Sequence, residues 1–317
     1  MKLREIYERA IRKGIKEDPR PSGMIEKDVA AARKEYRKLK GARKKAYDRE
    51  RLKHPYADSR ILYGNGNEEI TTVLTGIDMD VPEILLADRL REKGVKVDLV
   101  LSHHPSGRAF AQLDKVMVVQ PGIWETLGLS KEIAEGIMKD RMEEVGRGIA
   151  SRNHNRAVDA ARLLGIPFMC LHTAADNCVT SFLQKTFNRK KPKKLKHVMS
   201  ILERLPEYKH AMKVGAGPHI LIGDVKSDAG KVFIDMTGGT GGPDRIFSRL
   251  SQAGIKTVIG MHVRDSGYKA AKAEFLNYVI AGHIASDNLG VNILLDAIDP
   301  GRTLKVIECS GFKRFRR

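Results

Sequence analysis

Aromatic residues are scarce in this chain, at 6% of 317 residues with a single Trp. A base-stacking platform for nucleic acid therefore has little to be built from. Cysteine is scarce too. Cys170, Cys178 and Cys309 form an odd set without a CxxC spacing. That argues against a disulfide framework and a thiolate zinc site, and it fits a reducing cytoplasm. Nowhere does the sequence run through the roughly 18 consecutive apolar residues that a membrane-spanning helix needs, so no membrane span is expected. The start, MKLREIYERAIRKG, carries charges every few residues and lacks the apolar stretch of a secretory signal. Hydrophobic residues make up 42%, with 29 Gly and 12 Pro, which excludes disordered and collagen-like classes. The length allows one large or two ordinary domains.

The net charge of +18 is unevenly spread. Residues 1–60 hold 20 Lys/Arg against 10 Asp/Glu, the run Lys185–Lys196 (KTFNRKKPKKLK) holds 7 basic residues and no acid, and the tail Gly311–Arg317 adds 4. Those three segments exceed the total, so the rest of the chain is close to neutral. A basic arm of this kind is suited to polyanion contact, with nucleic acid as one partner class. A solvated helix that packs on acidic neighbours explains it as well, and no nucleic-acid module accompanies it.

The elements read as follows. Met24–Arg51 forms a long polar helix. From Ile61 onward short β-type runs alternate with helical ones. Strands are expected at Ile70–Thr75, Val97–Ser102, Pro167–Leu171, His219–Ile222, Val232–Met236, Lys256–Gly260, Tyr278–Ala281 and Leu304–Glu308. Helices are expected at Val81–Lys93, at Ser130–Leu164 with a break near Gly146–Arg152, and at Asp244–Ala253, Ser266–Leu276 and Ala285–Ile298. The alternation predicts an α/β fold with largely parallel or mixed sheets. No tandem repeat of 20–50 residues is visible.

Chemistry gathers at strand ends. His103-His104-Pro105 follows the second strand, and His172-Thr173-Ala174-Ala175-Asp176 follows the third. Thr237–Gly242 (TGGTGG), Met261-His262 and Gly282-His283-Ile284-Ala285-Ser286-Asp287 follow three later ones. In open α/β sheets, ligands bind outside the carboxyl ends of strands. His283 and Asp287 are four apart at a helix start and share one face. Asp176 is placed to bridge two ions. Imidazole and carboxylate without thiolate suit Zn, Fe or Mn, and ligand type alone does not choose among them. Asp176 and Asp287 also fit helix starts, where the dipole favours carboxylates. His54, His154, His197, His210 and His219 read as surface or core residues. The glycine run lacks the ending of a P-loop.

Three motifs in order resemble the NIF-three-like family of dinuclear metal proteins, whose members are also described as GTP cyclohydrolase type 2-like. They are VDLVLSHHP at Val97–Pro105, LHTAADN at Leu171–Asn177 and AGHIASDNLGVNILL at Ala281–Leu295. The resemblance covers roughly Ile70 to Glu308. It implies two similar α/β domains with the metal site between them, and His103, His104, Asp176, His283 and Asp287 as ligands of two divalent ions. It implies work beside the metals for His172, and a ring-shaped hexamer. The chain departs from the family where Asp287 replaces a usual Glu, where Ser106-Gly107-Arg108 follows HHP, and in its basic N-terminal segment.

The sequence therefore divides into a basic helical arm over 1–58, a first α/β domain over 59–185 and a second over 186–317, with the last strand free to join the first. The expected protein is a cytoplasmic, oligomeric, metal-dependent hydrolase of a phosphorylated or nucleotide-like small molecule. His172 and His262 are its candidate proton carriers, and Arg108, Gly239 and Gly241 its candidate anion contacts. A metal-binding protein without turnover is the alternative, with nucleic-acid contact through the arm as a further option.

Overall fold

The computed structural model describes residues 1–317. Nine strands fall in two sheets. They are β1 (Ser59–Tyr63), β2 (Thr72–Gly76), β3 (Leu99–Ser102), β4 (Phe168–Leu171), β5 (His219–Ile222), β6 (Lys231–Asp235), β7 (Ile255–Gly260), β8 (Asn277–Ile280) and β9 (Lys305–Glu308). The first sheet has the order β1-β4-β3-β2-β9 and the second β5-β8-β7-β6. Pairing is parallel except at β1 on β4 and β5 on β8. Both sheets are thus mixed, and the two follow one plan. Each opens on an antiparallel edge strand that pairs with the fourth strand of its set. The sequence shows no repeat, yet the topology is repeated, with β9 added to the first sheet.

Apolar runs make these strands. β2, β3 and β4 are buried along their whole length, as the inner strands of a sheet covered on both faces must be. β1 escaped the sequence reading because its five residues, SRILY, grow more exposed towards their end and lack a clean alternation.

The basic N-terminal segment is not a single arm. Its first helix, Leu3–Lys16, buries Leu3, Ile6, Tyr7, Ala10 and Ile11, the spacing of one apolar face. Those side chains join β2, β3, β4 and the helices Thr173–Lys190 and His283–Ile298 in one core. Lysines and arginines on the opposite face give the segment its charge. The long helix expected over Met24–Arg51 is three pieces, Ser22–Lys38, Gly41–Ala46 and a 3-10 turn at Arg49–Leu52. Extended backbone at Leu39 and a positive φ of 54° at Gly41 divide them. The helix expected over Ser130–Leu164 is two, Lys131–Ala150 and Arg156–Leu163. The remaining basic runs are partly neutralised in place. Lys185 pairs with Glu17 at 2.7 Å, Lys194 with Asp228 at 2.7 Å, and Arg317 with Glu207 at 2.5 Å.

Two devices tie the sheets together. The stretch after β3 folds into helices whose Val116, Met117, Trp124 and Met138 pack on Phe233 and Tyr278 of the second sheet and on Phe247 and Leu250 of the helix Ile246–Gln252 beside it. The helices Thr173–Lys190 and His283–Ile298 also cross closely. A Cβ at Gly290 would stand 2.5 Å from the Ala175 carbonyl oxygen, inside van der Waals contact. Glycine at 290 is what lets the second helix approach so near.

Gly290→Ala should therefore cost about 1–3 kcal/mol through overpacking, read as a lower urea midpoint at unchanged slope. An unshifted midpoint would show that the crossing is loose. Removing the Leu3–Lys16 helix should abolish cooperative unfolding altogether, so a truncation at His54 tests folding before it tests any contact made by the basic face.

Candidate metal centre

Each motif at a strand end delivers side chains to one place. β3 ends at Ser102 and hands on His103 and His104. β4 ends at Leu171, His172 caps the next helix, and Asp176 lies in that helix's first turn. β8 is followed by Gly282 at a φ of 100°, then the helix carrying His283 and Asp287. The two carboxylates thus sit near helix N-termini, whose free N–H groups favour negative charge. The first two pairs follow strands of the first sheet and the last pair follows a strand of the second, and all three meet in one cluster.

His103 is at the centre, 1% exposed. Its Nδ1 lies 3.2 Å from the Leu171 carbonyl oxygen, which can only accept, so Nδ1 carries a proton. That leaves Nε2 facing Asp176 Oδ1 and Asp287 Oδ1, each at 3.4 Å. The other oxygen of Asp287, Oδ2, is 3.5 Å from His104 Nε2 and 3.5 Å from His283 Nε2. Asp287 therefore faces two groups at once, one oxygen to each. Asp176, expected to bridge, turns one oxygen to His103 and its second to His172 Nε2 at 3.8 Å.

Two triads result, His103–Asp176–Asp287 inside and His104–His283–Asp287 outside, each with its potential ligand atoms within 4.8 Å of one another. His103, His104 and His172 form a third close group. Donors about 2.0–2.1 Å from one tetrahedral ion stand about 3.4 Å apart, which is the spacing measured between these atoms. Four of them, His103 Nε2, Asp176 Oδ1 and both Asp287 oxygens, are buried without a hydrogen-bond partner. Burying unpartnered carboxylates is costly. The donor set thus fits a divalent ion in chemistry, in spacing and in what it leaves unsatisfied.

Titration follows the same charges. Burial works against a charged His103, but Asp287 and Asp176 outweigh it and hold the ring's pKa well above the usual value. Burial pushes Asp287 up, and His103, His283 and His104 bring it below the usual carboxylate range. Burial and the neighbouring His103 and His172 push His104 down to about 4. His104 is therefore neutral near pH 7, with its Nδ1 2.7 Å from Asp78 Oδ1 and Nε2 turned to the outer triad.

His172 stands beneath the cluster, its ring centre 4.9 Å from that of His103. Its Nδ1 meets Asp58 Oδ2 at 2.8 Å, and Thr173 Oγ1 donates to the same oxygen at 2.7 Å. Asp58 is fully buried. Burial would raise its pKa, but His172 and Thr173 hold it below the usual range. Burial would lower the pKa of His172, and Asp176 and Asp58 raise it. Such a carboxylate fixes which ring nitrogen faces the site. His262 lies on the other side, 4.8 Å from His283 between ring centres, its pKa lowered by partial burial and by His283.

A cavity of about 530 Å³ opens over the cluster, lined by His104, His172, Asp176, His262, His283 and Asp287. Gly239 and Gly241 line it as well. Their amides donate to no other group of the chain, and the Gly238, Thr240 and Gly241 carbonyls are held by Gln120 and Arg141. Arg108 does not reach this cavity. It lies two residues before Phe110 in a short helix, about 200° round the axis. Phe110 lines the cavity, while Arg108 donates to the Ala46 carbonyl at 3.1 Å. The one Lys or Arg on the wall is Arg152, which the sequence reading passed over. Asp58 and Asp78 were passed over too. Asp78 lies just past the end of β2 and was open to the rule that found the histidines, whereas Asp58 precedes the strand that went unrecognised.

No family model and no curated protein matches the chain. Solved structures do. The NIF3 superfamily protein from Sphaerobacter thermophilus superimposes with a TM-score of 0.69 at 24% identity, over 80% of this chain and 91% of that one. This chain has the NIF3 fold. Reduced HcgD from Methanocaldococcus jannaschii aligns at a TM-score of 0.47 and 15% identity, over 79% and 88% of the two chains. TTHA1606 from Thermus thermophilus aligns at 0.44 and 14%, over 80% and 89%. The NIF3 fold agrees with the resemblance read from the three motifs. No helix is long and apolar enough to cross a membrane.

Asp58→Asn should lower the His172 pKa, followed by imidazole proton NMR. Asp58 is held below its ordinary value, so its contribution to stability is present above the unfolded carboxylate pKa and fades as pH falls through the folded one. The variant should lose that part of the acid sensitivity. A His172 titration unmoved by the substitution would remove Asp58 as its partner.

Proposed function

We propose that this chain holds two divalent metal ions and hydrolyses a small anionic molecule, phosphorylated or nucleotide-like. The observation that carries the reading is the divided carboxylate of Asp287, one oxygen turned to His103 and the other to His104 and His283, all at 3.4–3.5 Å. On this reading His103, Asp176 and Asp287 hold one ion and His104, His283 and Asp287 the other, with Zn, Fe or Mn compatible with nitrogen and oxygen donors. When bound, such a pair supplies Lewis-acid polarisation of a substrate oxygen and lowers the pKa of water.

The remaining residues have their own tasks. His172, with Nδ1 held by Asp58 and its pKa raised, presents Nε2 as a proton donor. His262, its pKa lowered, accepts a proton on the far wall. Arg152 and the free amides of Gly239 and Gly241 orient the anion. The open cavity favours turnover over a closed storage site, which protein ligands would fill completely. The family resemblance extends the proposal to a GTP cyclohydrolase-like reaction, a hexamer and a cytoplasmic location. Nucleic-acid contact has less support, since the first helix of the basic segment is built into the core.

Elemental analysis of untagged protein should find near two ions per chain. Asp287→Ala should bring the count close to zero because both ions share it, and a variant that keeps one ion would end the bridging role. His172→Ala should keep its metal but lose roughly 10²–10⁴-fold in turnover on whichever phosphoester or nucleoside triphosphate proves active. No turnover on any of them at saturating Mn, Fe or Zn would defeat the hydrolase half of the reading.

A further inference from the structure

Beside the metal cavity lies a second, smaller one of about 80 Å³, room for more than one water. Phe233, Phe247, Tyr278 and Trp124 contribute to its wall, together with Gln120 and Asp235. Asp235, His262, Thr240 and Gly241 border both cavities, so the two adjoin.

Two of its acceptors, Gln120 Oε1 and the Asp235 carboxylate, have no donor partner. Gln120 is 3% exposed, and its Nε2 donates to the Gly238 carbonyl at 2.9 Å and the Thr240 carbonyl at 2.6 Å. Those two bonds fix the amide's orientation. Its Oε1 is left buried with no partner. Asp235 ends β6, opposite Gly260 of β7. The nearby Tyr278 hydroxyl gives its proton to the His262 carbonyl at 3.3 Å, and no side chain forms an ion pair with Asp235. The arginines on this wall are already engaged, Arg141 with Glu144 at 2.8 Å and Arg264 with Asp244 at 3.1 Å. With nothing to offset burial, the Asp235 carboxyl is pushed up to about 6.

We propose that this small cavity is a recognition subsite for a planar group carrying adjacent N–H donors, such as a guanidino or amidine group. Asp235 accepts two parallel N–H bonds from the fork, as carboxylates do from guanidinium groups. Gln120 Oε1 accepts a third. The aromatic wall suits a flat, delocalised cation. That this group belongs to the substrate of the adjoining centre rests on the function proposed above. Occupancy of the subsite by an N–H donor does not.

Calorimetric titration of the full-length chain with methylguanidinium tests it, with Asp235→Asn and Asp235→Ser alongside. The expected result is saturable binding to the wild type, at least tenfold weaker in both variants, with metal content and cooperative unfolding unchanged. Equal binding to wild type and variants, or a cavity that takes water only and shows no heat of binding, overturns the subsite. The metal count is measured on the same samples. A chain without metal that still binds methylguanidinium through Asp235 keeps the subsite and loses the hydrolase.

Discussion

Two carboxylates share one buried imidazole, and much of the molecule serves that arrangement. Asp176 and Asp287 reach His103 on helices that follow strands of different sheets and can approach only because residue 290 is glycine. Negative charge in such a place needs compensation. The helix N-termini give a little, a protonated His103 gives more, and a divalent cation would give most. Four of the eight buried side-chain atoms left without partners lie at this centre and mark where compensation is incomplete.

The repeated topology explains how the centre came to have two faces. β4 and β8 occupy equivalent places in their sheets, and each is followed by a His and, four residues later, an Asp at a helix start. The two halves differ in what the histidine does. His283 turns towards the shared Asp287, whereas His172 is drawn aside by Asp58. A symmetric scaffold thereby supplies one histidine to the cluster edge and another to the floor beneath it. The β3 position carries His103 and His104, and the equivalent β7 position carries Met261 and His262. The asymmetry between a deep triad and an open one follows from that difference.

The charge distribution reads differently once folded. Basic residues that look like an arm, a linker and a tail in sequence are anchored by named partners, and Glu17, Asp228 and Glu207 each hold one. Exposed pairs of this kind add little stability. The cavity over the cluster carries five aspartates against a single arginine. Such a cavity favours cations in its floor and leaves anion contacts to Arg152 and backbone amides.

By itself, the sequence determined the alternation of strands and helices, because buried parallel strands must be continuous apolar runs. It also named the candidate ligands. His103, His104, Asp176, His283 and Asp287 stand at strand ends, where the fold exposes side chains to one crevice. What it could not determine was who faces whom. Spacing placed Asp176 and Asp287 on helix starts, but only the crossing at Gly290 gave Asp287 the divided role. Residue type made Arg108 an anion contact, and helix phase turned it away. Net charge made the first helix an arm, and its apolar face put it in the core. Partners distant in sequence, such as Asp58 for His172, leave no local signal, because their contact exists only after the chain has folded.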